Sequence, residues 1–174
     1  MEQVKPWGRT LILGIAAMGL TVLTACAGPY QYYEGTGLDD ATVAEVAGSW
    51  KSIEGTRMTL RPDGTALLRR LDGQDFDFDD GWRVSGRGTW EMTDDADGQD
   101  VHLTMTTRTG VAMRAAADAS AATEPPTTYE WRFSLRRDQR DALELFFFYG
   151  DPDIGNTYLM TRAVTLPRRD PSVQ

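Results

Sequence analysis

The side chains best suited to chemistry are carboxylates. Asp72, Asp75, Asp77, Asp79 and Asp80 fall close together in the 174-residue chain, and Phe76 and Phe78 are interleaved with them. In an extended strand Asp75, Asp77 and Asp79 share one face. Several hard oxygens on one face is the donor set calcium takes, which makes these three the candidate metal ligands. The spacing does not complete an EF-hand loop, because Asp80 stands where its glycine should be and Gly86 where its glutamate should be. The expected reading is a solvated acidic face with Phe76 and Phe78 turned inward, and no metal or other cofactor. His102 is the sole histidine, alternating with Val101 and Leu103 beside Thr104 and Thr106. With no second histidine and one cysteine, neither a metal centre nor a Ser–His triad has its partners. No nucleophile elbow, phosphate loop or dinucleotide fingerprint occurs, and no catalytic residue is assigned. The expectation is a non-enzymatic protein.

The cysteine carries a more specific signal. Lys5 and Arg9 precede an uncharged apolar or small run from Leu11 to Leu23, and Leu23-Thr24-Ala25-Cys26 follows. A positive start, a short apolar core and small residues before the cut describe an export signal over residues 1–25. The core is shorter than the about 20 apolar residues that a membrane-spanning helix needs. Leu23-Thr24-Ala25-Cys26 resembles the bacterial lipobox. In that family the cysteine thiol receives a diacylglyceryl group, the chain is cut before it, and the cysteine becomes the first residue. The resemblance implies lipidation of Cys26 and a lipid-anchored place on the extracytoplasmic face of the cell membrane. Cys26 is the only cysteine, so no internal disulfide forms, and the domain must be stable through its core.

Removing Lys5, Arg9 and Glu2 with the leader takes 18 basic and 26 acidic residues to 16 and 25, a net charge of −9 against −8 for the whole. Such a chain repels phosphate backbones and anionic lipid alike. No nucleic-acid partner is expected, and membrane contact is assigned to the anchor. Residues 26–38 are rich in Gly and Tyr, with Tyr30, Tyr32 and Tyr33, and read as a flexible tether. Residues 39–166 read as one domain, and residues 167–174 as a loose charged tail.

Within the domain, Thr42-Val43-Ala44-Glu45 has capping-box spacing and predicts a short helical turn ended by Gly48. After it come short alternating runs separated by turn residues. They are Trp50–Ile53, Arg57–Arg61, Thr65–Leu71, Trp82–Met92, Val101–Thr106, Tyr129–Leu135, Ala142–Tyr149 and Thr157–Ala163. Pro62-Asp63-Gly64 predicts a hairpin, and Gly86 and Gly88 predict a bulge or bend. About eight consecutive strands close most economically into one up-and-down antiparallel β-barrel, with a two-sheet sandwich as the alternative.

Gly48-Ser49-Trp50 opens the first strand after the helical turn, and Arg162 lies in the last. This arrangement resembles lipocalin-like, calycin-type barrels, in which a Gly-x-Trp tryptophan packs under an arginine of the final strand. The resemblance implies barrel closure by Gly48, Trp50 and Arg162 and an apolar cavity, for which Trp90, Trp131 and Phe147 are the candidate lining. A second Gly-x-Trp stands at Gly88-Thr89-Trp90. Asp80-Gly81-Trp82-Arg83-Val84-Ser85-Gly86, Gly88-Thr89-Trp90 and Tyr149-Gly150-Asp151-Pro152-Asp153 are similar to segments of lipoproteins from high-GC Gram-positive bacteria, a likeness that implies no activity. The expected function is to bind a small apolar molecule or lipid in the barrel. The alternative is an envelope interaction or scaffold module with a solid core. An eight-stranded barrel accommodates either.

Leu143, Leu145, Phe147 and Tyr149 share one strand face, and Phe146 and Phe148 share the other with Glu144. A barrel wall needs only one apolar face, so something should cover Phe146 and Phe148. The expected cover is the Ala-rich segment 111–122, read as a helix; the alternative is another envelope protein.

Overall fold

The computed structural model describes residues 35–74, 81–114, 124–148 and 156–163. Among the described residues the chain is all-β apart from one helical turn, α1 (Val43–Val46). The strands are β1 (Gly48–Lys51), β2 (Arg57–Leu60), β3 (Thr65–Leu71), β4 (Trp82–Asp95), β5 (Gly98–Met113), β6 (Tyr129–Arg137), β7 (Leu143–Phe148) and β8 (Thr157–Arg162). Each pairs antiparallel with the next, and β8 returns to β1 through Trp50 opposite Arg162 and Lys51 opposite Thr161. The sheet is therefore a closed eight-stranded up-and-down barrel.

Local sequence chemistry starts and turns these elements. Thr42 caps α1 by accepting from the Glu45 amide at 3.3 Å, while the Glu45 carboxylate accepts from the Thr42 amide at 2.9 Å. Both oxygens thus satisfy amides that the short helix leaves free. In the β2–β3 turn, Asp63 Oδ1 accepts from the Thr65 amide and Gly64 takes φ of +79°. The register of β4 on β5 shifts beside Gly86 and Gly88. A Cβ at Gly88 would lie 1.8 Å from the Thr104 carbonyl oxygen, so the close approach there requires glycine.

Two elements depart from the sequence reading. Residues 35–38, assigned to the tether, are hydrogen bonded to the β4–β5 hairpin: Gly37 N to Asp97 O at 3.0 Å, and Gln99 N to Leu38 O at 2.8 Å. The Gln99 side chain also accepts from the Ala41 amide at 2.8 Å, so the packed domain begins at Gly35. Strand β5 runs on to Met113, where a helix was expected from residue 111. Gly110, Val111 and Ala112 lie opposite Ser85, Val84 and Arg83, and this pairing with β4 overrides the helical preference of alanine. Residues 115–122 lie outside the described residues.

Burial follows the alternation. Trp131, Phe133 and Leu135 of β6 and Leu145 and Phe147 of β7 are buried in one core cluster with Trp50, Met58, Leu60, Leu71, Leu103, Met105 and Met160. His102 stands half-buried on the other face of β5, opposite Glu91 and Arg132. Phe146 is 3% exposed yet outside the core cluster. Its ring meets Phe148 edge-on at 5.9 Å, and the Arg136 guanidinium lies 4.8 Å from its centroid. Arg136 is held there by Glu144 at 2.9 Å.

Candidate functional site

Three places in the barrel merit a chemical reading: its interior, the end closed by α1, and the opposite end. Among the described residues the inward-facing side chains are buried against one another. Trp50, Trp131 and Phe147 are at most 2% exposed and Trp90 is 6% exposed. A cavity wide enough for a ligand leaves its lining open to a water-sized sphere, and these rings are not open. Each is also fixed. Trp131 Nε1 donates to Asp72 O at 2.7 Å, Trp90 Nε1 donates to Arg61 O at 2.7 Å, and Phe147 stacks on Tyr158 at 4.7 Å. The three residues named as cavity lining thus lie within the buried core cluster. An open apolar groove of about 600 Å³ lies elsewhere, lined by Val43, Ala44 and Ala47 on one side and Thr59, Leu60 and Pro62 on the other.

The α1 end brings together Gly48, Trp50 and Arg162. The Arg162 guanidinium sits 4.4 Å from the centre of the Trp50 ring and donates to Ala47 O at 2.8 Å. Trp50 Nε1 donates to Val46 O at 2.9 Å. Gly48 has φ of +143°, and a Cβ there would lie 2.0 Å from Arg162 Nη1. Arginine, indole and glycine therefore form one fitted unit that ties the last strand to the first. Arg162→Ala removes the cation–π contact and leaves the Ala47 carbonyl short of a donor. It should cost about 1–2 kcal/mol in urea unfolding. An unchanged midpoint would show that the Arg162–Trp50 contact adds nothing to stability.

The opposite end, reached by the β1–β2, β3–β4, β5–β6 and β7–β8 connections, carries a cluster that the sequence reading missed. Asp72, grouped there with the solvated acids, is fully buried. A register shift between Leu68 and Leu71 explains this. Arg70 takes φ of +57° in the bulge, Leu71 points inward, and Asp72 follows at the barrel mouth. Asp72 Oδ1 accepts from Arg83 Nε at 3.0 Å and Arg114 Nη2 at 2.5 Å. Glu54 Oε2 accepts from Arg83 Nη2 and, at 3.2 Å, from Arg114 Nη1. Two guanidiniums are thus held between a buried inner carboxylate and a half-buried outer one.

Tyr158 completes the cluster. Its hydroxyl bonds to Thr56 Oγ1 and lies 3.5 Å from Ser52 Oγ, while Thr56 Oγ1 donates to Arg70 O at 2.6 Å. Burial raises the Tyr158 pKa above the ordinary phenol value, and the negative charge of nearby Asp72 raises it further. Asp72 Oδ2 nevertheless has no partner at hydrogen-bond geometry, so that influence is one of charge and proximity more than of a formed bond. For Arg114, burial pulls the pKa down, and the carboxylates of Asp72 and Glu54 more than offset it.

The candidate metal ligands Asp75, Asp77 and Asp79 lie outside the described residues, as do Asp80, Cys26 and the tyrosines of the tether. Among the described residues no group of three His, Cys, Asp or Glu side chains is placed to hold a metal ion. No described helix is long and apolar enough to cross a membrane. Comparison with protein-family models, with curated proteins and with solved structures finds no match.

Proposed function

We propose that the chain is a lipoprotein anchored through Cys26 on the extracytoplasmic face of the cell membrane, and that its barrel is a packed, non-enzymatic envelope module. The burial of the inward side chains supports this reading of the barrel: Trp50, Trp131, Phe133 and Phe147 are at most 2% exposed. Function then falls to the outer surface and to the polar end. The competing reading, an apolar molecule or lipid carried inside, draws on the likeness to lipocalin-like barrels, which the Arg162–Trp50 stack supports. That likeness concerns how the barrel is closed, and closure is compatible with a solid core.

Eight residues separate Cys26 from Gly35, a reach of roughly 30 Å when extended. The packed chain begins with Gly35 at the α1 end, so the tether leads from that end and the Asp72 cluster lies at the other. The interior is tested with N-phenyl-1-naphthylamine, an apolar dye that brightens on leaving water. The packed barrel should give no saturable signal. One-to-one binding that quenches tryptophan emission would overturn the solid-core reading in favour of a carrier.

A further inference from the structure

We propose that Arg83 and Arg114 form a carboxylate-binding seat, that Glu54 fills it in the resting chain, and that a small carboxylate ligand displaces Glu54 from it. The two arginines are fixed from within, since both donate to Oδ1 of the fully buried Asp72. One terminal nitrogen of each, Arg83 Nη2 and Arg114 Nη1, converges on one oxygen, Glu54 Oε2. A carboxylate is held best when both its oxygens are used by the guanidinium fork. Glu54 gives these arginines a single oxygen, so it is an incomplete occupant that an incoming acid group can better.

The network is also unsaturated. Arg114 Nε is a buried donor with no partner, which a carboxylate can supply; Asp72 Oδ2 is a buried acceptor that it cannot satisfy. A cluster that served only as a plug would be expected to satisfy such groups, because each one left open inside the protein is costly. Charge points the same way. With Glu54 seated, two carboxylates balance two guanidiniums; with Glu54 out, the seat is one positive charge in excess and favours an anion.

The loop is built to let the side chain go without unravelling. Glu54 O accepts from Arg83 Nη1 at 3.0 Å, and Ser52 Oγ accepts from the Glu54 and Thr56 amides at 3.2 and 3.3 Å. Gly55, with φ of +86°, completes the turn. None of these bonds uses the Glu54 carboxylate. The Glu54 side chain is 31% exposed and the Arg114 side chain 23%, so a small solute reaches the seat from solvent.

The test is a titration of the full-length chain in detergent micelles with sodium acetate, chloride replacing it in the control at equal ionic strength. Binding is read from the NMR resonance of the Arg83 Nε–Hε group, identified by its loss in Arg83→Lys. Glu54→Gln removes the competing charge and should tighten acetate binding by about tenfold. Adding Arg114→Lys to Glu54→Gln keeps the charge but removes half of the fork, and should reverse that gain. The proposal is overturned if acetate moves the resonance no more than chloride does, or if Glu54→Gln binds no tighter than the parent. Because the readout is local, the result is independent of whether Cys26 carries lipid.

Discussion

Asp72→Asn should lower the unfolding free energy by about 3 kcal/mol, the low end of the range for breaking a buried ion pair. The low end applies because the arginines it leaves behind keep some contact with water, at 11% and 23% side-chain exposure. In the native cluster Asp72 and Glu54 balance Arg83 and Arg114. Replacing Asp72 leaves two guanidiniums against one carboxylate, and a neutral amide at the centre. Trp131 is not released, since it bonds the main-chain carbonyl of residue 72. The loss should therefore appear in the urea midpoint while the tryptophan environment stays native. Tyr158 supplies a second readout. Its folded pKa is raised above the unfolded one, first by burial and then by Asp72. That contribution to stability is present below the unfolded phenol pKa and is lost as pH rises through the folded one. Asp72→Asn removes the share due to charge, so the buried phenol should ionise at lower pH than in the parent, followed by ultraviolet absorbance. A midpoint within about 1 kcal/mol of the parent, with no change in phenol titration, would mean that the ion cluster is energetically idle.

The barrel was largely legible in the sequence because its determinants are local. Alternation in Tyr129–Leu135 and Thr65–Leu71, the Pro62-Asp63-Gly64 turn and the Thr42–Glu45 capping box each act within a few residues. Eight such strands in sequence order leave closure as the natural way to remove edges. The ion cluster was not legible, for a physical reason. Asp72 reaches its place through a bulge in which Arg70, and not a glycine, takes the positive φ, so the residue type does not announce it. Its partners Arg83 and Arg114 lie 11 and 42 positions away, and only the closed sheet brings them together. The state of the interior was likewise beyond reach. Alternation says which side chains point inward, and only their fitted volumes decide whether Trp131 and Phe147 line a space or fill it. The end of β5 misled for a related reason, since pairing with β4 outweighs the preference of an Ala-rich segment.

The other large effect concerns Cys26. Cys26→Ala should move the protein from the membrane fraction to the soluble fraction. Each buried methylene of an acyl chain is worth roughly 0.8 kcal/mol, and two chains hold firmly where one holds marginally. Loss of the diacylglyceryl group should therefore weaken partition by a thousandfold or more on that order. Little else would retain the domain, because the chain from Cys26 onward is acidic and anionic lipid repels it. The domain itself should stay folded, since its packed part begins at Gly35 and its core residues, Ala41 to Met160, are all downstream of Cys26. Membrane flotation and intact mass decide the matter together. A parent protein whose mass shows a diacylglyceryl group on Cys26, and a variant that is soluble with an unchanged urea midpoint, would place the anchor on that one thiol. A variant that still floats with its leader uncut would instead make the apolar run from Leu11 to Leu23 the anchor. The chain would then still reach the domain from its α1 end, but no lipid on Cys26 would be needed to hold it at the bilayer.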